Sequence, residues 1–227
     1  MTVVLRSKVF DGLTESERRA WLAEAQPRQL GRGEVLARQG DPAAAFYLVE
    51  SGLLKLVQST ADGHDLIVRF VGPGEPFGGV VALDRAEYPV TALAAGPTRV
   101  HGWPREMLRR LLAAHPQVRT NIMREMADHM TDAMTRVREL TTERAAQRVA
   151  RALLRVMRQC GQDTADGVLI GYPLTRQELA ELSGTTLHTA SRTVARWQAD
   201  GILRSVGRRI LVRAPRQLES LARGREE

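Results

Sequence analysis

Residues 184–197 read GTTLHTASRTVARW, and at about 100° per residue the stretch has two faces. Leu187, Ala190, Val194 and Trp197 share one arc, three and four residues apart, as a buried helix stripe requires. Arg192 lies opposite that arc, flanked by His188 and Arg196, with Thr189 close by. A cationic outer face serves either solvent or a partner of opposite charge, and the flanking segments decide between them. Upstream, PLTRQELAELSG (173–184) sets Thr175 and Glu178 at capping-box spacing. Leu174 and Leu179 stand where a hydrophobic staple would, and Gly184 can take the left-handed conformation that ends a helix. A capped short helix, a glycine turn and a second amphipathic helix make a helix-turn-helix, whose second helix enters the major groove. Downstream, ILRSV (202–206), GRR (207–209) and ILV (210–212) predict two short strands around a basic turn, a wing with Arg208 and Arg209 placed for phosphates.

The charge distribution agrees. The 227-residue chain carries a net charge of +7. Residues 1–140 hold 18 basic and 17 acidic side chains, whereas residues 141–227 hold 15 and 9. Nearly all the excess therefore sits on the segment read as a helix-turn-helix, where attraction to a phosphate backbone needs it. With 43% hydrophobic residues the chain can bury a core of one or two domains. No apolar run approaches the roughly 18 residues that span a bilayer, and the N-terminal MTVVLRSKVFDGL has too short an apolar segment, and no small-residue cleavage site, for a signal peptide. The expectation is a cytoplasmic protein without a membrane partner. The single Cys160 excludes an intrachain disulfide and any cysteine-only metal site.

Along the chain, residues 8–26 predict a short amphipathic helix with a Thr14/Glu17 capping box. From 28 to about 103, short β-rich runs such as FYLVESG, LLKLVQS and DLIVRFVG alternate with turn residues, the texture of an all-β barrel or sandwich. A helical region begins at Pro104, and a longer helix starts at Pro116 and runs to about Leu140. Val118, Ile122, Met126, Met130, Ala133, Met134, Val137 and Leu140 form its apolar seam, assigned both to intrachain packing and to a twofold dimer contact, the latter chiefly through Val118, Ile122, Met126, Met130 and Val137. Residues 141–160 predict the next helix, capped by Thr142, with a hinge at 140–143. The QDTADG turn (162–167) then leads through a short strand, VLIGY, to the helix-turn-helix.

This order of parts resembles the CRP/FNR family of bacterial transcription regulators over essentially the whole chain. GEVLARQGDPAAAFYLVESGLLKLV (33–57) is similar to the opening of a cyclic-nucleotide-binding β-roll, and LTRQELAELSGTTLHTASRTVARWQADGIL (174–203) to the family helix-turn-helix. The resemblance implies an α+β fold in three parts. These are a β-roll (jelly-roll) sensor domain over 1–116, a central dimerisation helix over 117–141 and a winged helix-turn-helix over 142–227. It also implies a homodimer on a palindromic double-stranded DNA operator, with RNA polymerase as a further partner. In the FNR branch the recognition helix carries Glu-x-x-Ser-Arg; here Ser191 and Arg192 match and His188 departs. The expected base readers are His188, Ser191 and Arg192. The expected phosphate contacts are Thr185, Thr186, Thr189, Arg196, Arg208, Arg209 and Arg176.

The effector pocket departs further from the pattern. Gly79 falls on the family glycine, but Val80 replaces the glutamate, and Tyr88 and Pro89 replace the arginine and serine that hold a cyclic phosphate. Ala133 and Met134 stand where the central helix would reach the purine. A buried phosphate without a cation is poorly compensated, so useful cyclic AMP affinity is not expected. The candidate pocket residues are Gly79, Val80, Tyr88, Pro89, Val90, His129 and Ala133. Three effector readings remain open: haem, with an axial ligand from His64, His101, His115 or His129; another small molecule; or a pocket filled by its own side chains. The last two rank above haem, and no cofactor is assigned. An enzyme is not expected, because the chain carries no P-loop, Rossmann glycine fingerprint, paired metal-ligand motif or Gly-x-Ser-x-Gly elbow. The competing class is a small-molecule or haem sensor acting through protein partners rather than DNA.

Overall fold

The computed structural model describes residues 3–59, 65–84 and 87–224; His64 lies outside them. The chain divides into two units, Met1–Asp132 and Ala133–Glu227, each with its own core.

The first unit opens with two 3-10 turns, Val3–Arg6 and Lys8–Phe10, before helix α1 (Glu15–Ala23). The helix expected over 8–26 is thus shorter at both ends. It starts where the Thr14 hydroxyl accepts from the Glu17 amide while the Glu17 carboxylate accepts from the Thr14 amide, the anticipated capping box. Eight strands follow, β1 (Gln26–Leu30), β2 (Val35–Ala37), β3 (Ala45–Ser51), β4 (Leu54–Ser59), β5 (Asp65–Val71), β6 (Pro76–Phe77), β7 (Thr91–Ala94) and β8 (Thr98–Pro104). They form two four-stranded antiparallel sheets, ordered β1-β8-β3-β6 and β2-β7-β4-β5. Each sheet sends alternate side chains to one core: Phe46, Leu48 and Val100 from the first sheet, Leu54, Leu56 and Ala92 from the second. Trp103 anchors one end against Trp21, Phe10 and Phe46, with ring centroids 6.0–6.3 Å away, and its indole N–H donates to the Trp21 carbonyl at 2.9 Å.

Helix α2 (Arg105–Ala114) closes the strands, and helix α3 (Pro116–Thr142) follows after one residue. The apolar seam of α3 splits in two. Val118 and Ile122 are fully buried in the β-unit core, and Met126 packs against it. The Asn121 amide donates to the Val9 and Asp11 carbonyls at 3.0 and 2.8 Å. Val118 and Ile122 are therefore consumed within their own chain, a correction to their place in the dimer seam. Further along, Met130, Met134, Val137 and Leu140 are 52–63% exposed. The first half of α3 belongs to the first unit for this reason, and the two units divide inside the helix.

The second unit contains the rest of α3, α4 (Ala145–Cys160), β9 (Gly161–Thr164), β10 (Gly167–Ile170), α5 (Arg176–Ser183), α6 (Leu187–Ala199), β11 (Leu203–Val206), β12 (Arg209–Val212) and α7 (Pro215–Ala222). Thr142 does not cap α4. Its hydroxyl donates back to the Arg138 carbonyl at 2.8 Å and keeps it in α3, while Arg144 is the cap, its amide held by the Gln147 side chain at 3.0 Å. The wing strands join a four-stranded sheet, β11-β12-β10-β9, because the predicted strand at 168–172 pairs on one side with β12 and on the other with the unforeseen β9.

Candidate nucleic-acid interface

Helix α5 begins with the expected capping box, Thr175 with Glu178, and ends at Gly184 with φ +58° and ψ +46°. A side chain at 184 would adopt the left-handed conformation that only glycine enters at no cost. Arg148 of α4 fixes the turn from below: its guanidinium donates to the carbonyls of Ser183 at 2.9 Å and Gly184 at 3.0 Å, and to that of Glu143 at 2.6 Å. Arg136 adds a 3.3 Å bond to the Leu182 carbonyl. These two arginines satisfy the C-terminal carbonyls of α5 that no helix turn can. The sequence reading missed both, since a helix-surface arginine carries no mark of which carbonyls it will meet.

Thr186 caps α6, its hydroxyl accepting from the Thr189 amide at 3.2 Å. Ala190, Val194 and Trp197 seal one side of the helix, none more than 3% exposed. Leu187 does not join them. It is 49% exposed, because it is the first residue of the helix and the core beneath does not extend that far.

The opposite face carries His188, Arg192 and Arg196, all exposed, with Ser191, Thr189 and Thr185 half-buried at its borders. Arg192 has no hydrogen bond or ion pair among the described residues; Arg196 lies 3.8 Å from Asp200. Arg208 and Arg209, at the β11–β12 turn, are exposed and also unpaired among the described residues. Arg176, the first residue of α5, is half-buried, and its desolvation lowers its pKa. His188, Arg192, Arg196, Arg208 and Arg209 therefore lie exposed on α6 and the wing turn, whereas several other arginines of this unit bind carboxylates. Arg151 and Arg155 hold Glu143 and the buried Glu139 at 2.8 Å each, and Arg204 holds Asp166 at 2.8 Å. The exposed guanidinium groups of α6 and the wing turn suit a phosphate-bearing partner.

In the first unit, a cavity of about 140 Å³ lies between the β6 region and α3. Gly79, Val80, Tyr88, Pro89, Val90 and His129 all line it; Ala133 does not. A side-chain carbon at Gly79 would meet Met126 at 3.1–3.3 Å and Ile122 at 3.4 Å, so α3 approaches this loop closely. The Tyr88 hydroxyl is spent on strand β3, donating to the Ala45 carbonyl at 2.7 Å and accepting from its amide at 2.9 Å. Arg69, the arginine in the wall among the described residues, is bonded to Glu75 at 3.1 Å. Burial, with Arg69 nearby, pushes the His129 pKa down to about 4, so its imidazole is neutral at pH 7. Burial raises the pKa of Glu125. The other two described candidates for axial ligation are elsewhere: His101 Nε2 faces Glu50 at 3.2 Å, and His115 lies 3.9 Å from Glu17. Among the described residues no cluster of His, Cys, Asp and Glu is placed to hold a metal ion.

Residues 27–115 match the model of the cyclic nucleotide-binding domain, and residues 147–221 that of the Crp-like helix-turn-helix domain. The cyclic AMP receptor protein of Thermus thermophilus is 32% identical over 96% of this chain and 98% of its own. The chain belongs to the CRP/FNR family of transcription regulators. Another CRP/FNR member, the transcriptional activator FnrA of Stutzerimonas stutzeri, is 31% identical over 82% of the chain and 75% of its own length. The solved structure of FixK2 from Bradyrhizobium japonicum superposes with a TM-score of 0.76 at 26% identity, covering 87% of this chain and 96% of that one. These relatives are transcription regulators, not enzymes. They carry names from both the cyclic AMP and the FNR sides of the family and do not single out the FNR side that Ser191-Arg192 favours.

Proposed function

We propose that this CRP/FNR protein is a cytoplasmic homodimer that reads a palindromic operator with α6, half-sites one helical turn of DNA apart. The supporting observation is the exposed Arg192, unpaired among the described residues, opposite the sealed Ala190–Val194–Trp197 stripe. Arg192 donates bidentately to a guanine, His188 and Ser191 read neighbouring base edges, and Arg196, Arg208 and Arg209 hold phosphates together with Arg176 and the hydroxyls of Thr185, Thr186 and Thr189. The dimer seam runs along the exposed apolar residues of α3, chiefly Met130, Met134 and Val137. RNA polymerase is the expected downstream partner.

Cyclic AMP is not the effector in this reading. The cavity is smaller than the roughly 300 Å³ at which sites for drug-sized ligands begin, and Arg69, its wall cation among the described residues, is already paired with Glu75. A porphyrin is larger still. The pocket therefore takes a small molecule or stays filled by Met126 and its neighbours. The test is selection of bound sequences from a random DNA pool by the full-length protein, repeated over a salt series. Enrichment of an inverted repeat whose binding weakens steeply with salt is expected; recovery of no common sequence refutes the reading.

A further inference from the structure

Met123, Met130 and Met134 are the exposed methionines among the described residues, and all three stand on one face of α3. Met107, Met126 and Met157 are half-buried, and the first two pack on the core of the first unit. From Met123 the face continues through Ala127, Met130, Met134, Val137 and Thr141, all exposed and alternately four and three residues apart, the spacing of a two-stranded coiled-coil seam. Leucine, isoleucine and valine pack such a seam most firmly, yet half of these six positions hold the more flexible and chemically reactive methionine. Hydrogen peroxide can transfer one oxygen atom to a thioether. The O–O bond breaks, an S–O bond forms, the sulfur loses two electrons, and the peroxide leaves as water. No net charge appears, but the new sulfoxide oxygen finds no donor in a seam of methyl and methylene groups. We propose that Met130 and Met134, with Met123 beside them, are oxidation sites through which peroxide separates the two chains and releases the operator. The inference rests on the dimer seam proposed above and adds a chemical control to it. Cys160 is the competing target, but burial pushes its thiol up to about 11, so little reactive thiolate is present at pH 7.

The test exposes the full-length protein to graded hydrogen peroxide, maps sulfoxides by peptide mass, and follows sedimentation velocity and operator anisotropy. Sulfoxides should appear first at Met123, Met130 and Met134, and faster at lower protein concentration, where dissociation bares the sulfurs. Each sulfoxide held in the seam should weaken the dimer by on the order of tenfold, so the treated chain sediments as a monomer and binds the operator weakly. Dithiothreitol, which reverses thiol oxidation, should not restore binding, whereas methionine sulfoxide reductases A and B together should. The triple variant Met123→Leu/Met130→Leu/Met134→Leu should remain a dimer and resist peroxide, because leucine conserves the volume. Met126→Leu should stay as sensitive as the wild type. Three results overturn the oxidation site alone: a treated wild type that stays dimeric with sulfoxide at Met130 and Met134, seam methionines that resist peroxide sufficient to oxidise free methionine, or a triple variant that dissociates as readily as the wild type. A wild type that is monomeric before treatment overturns the seam and the oxidation site with it.

Discussion

Two arginines of the same charge and similar exposure should behave differently, because the proposed docking puts Arg192 over base edges and Arg208 over the backbone. Arg192→Ala should cost about 1–3 kcal/mol per half-site and relax preference at one base pair. Arg208→Ala should weaken all sequences alike and make the salt dependence shallower by about one unit of slope. Competition binding against a half-site library separates the two, and an Arg192→Ala protein with undiminished sequence preference would place α6 the other way round. His129 carries a different prediction. Its pKa falls from 6.5 to about 4 on folding, so the unfolded chain takes up the proton first. The stability it contributes is complete above about pH 6.5 and drains away as pH falls toward 4. Glu125, raised by burial, acts in the opposite sense at acidic pH, so the informative comparison is variant against wild type. His129→Gln should lose on the order of 1–2 kcal/mol of that pH dependence, allowing for the partial exposure of the ring. Urea unfolding at pH 7 and pH 5 measures it; parallel changes in both proteins would refute the assignment. That Arg192 faces outward was legible from helical period alone, whereas the neutrality of His129 depends on which strands close over it.

At the scale of elements, the turn between α5 and α6 rests on a glycine and on arginines from outside the motif. In Gly184→Ala the new carbon would stand 2.2 Å from Leu140 Cδ2, but Leu140 is half-exposed and can swing away. The left-handed backbone is the cost that remains, so the loss should be about 1–2 kcal/mol. Thermal unfolding of the full chain reads this out, and a variant as stable as the wild type would show that the turn relaxes. Capping signals proved dependable where the bond is local: Thr14 with Glu17 and Thr175 with Glu178 both form as their spacing implies. They failed at Thr142, whose hydroxyl had a carbonyl one turn back as a competing partner. Strand β9 went unseen because GQDT has neither apolar alternation nor β-branched residues beyond Thr164; its pairing with β10 supplies what its composition lacks.

Over the whole molecule, the +6 balance of residues 141–227 against +1 for residues 1–140 predicts an association with DNA that is steered by charge and suppressed by salt. The exposed methionines of α3 predict the oligomer. Met130 and Met134 are each 62% exposed, so Met130→Glu with Met134→Glu should leave each chain folded while placing like charges face to face across the seam. Sedimentation velocity should show the wild type as a dimer and the double variant as a monomer with weak operator affinity. A wild type that sediments as a monomer, or a variant that remains dimeric, would move the interface elsewhere.

The amino-acid order by itself determined what short-range physics can settle: the caps, the glycine turn, the two-faced helix, the wing, and the concentration of charge on the C-terminal segment. Each depends on residues a few positions apart. Tertiary structure alone decided how a surface of ambiguous character is shared out. It buried Val118 and Ile122 and left Met130 and Val137 bare, exposed Leu187 at the edge of a core that stops short of it, and gave Arg148 the carbonyls of Ser183 and Gly184. Burial and long-range pairing depend on which distant segments arrive alongside, and helical period is blind to that.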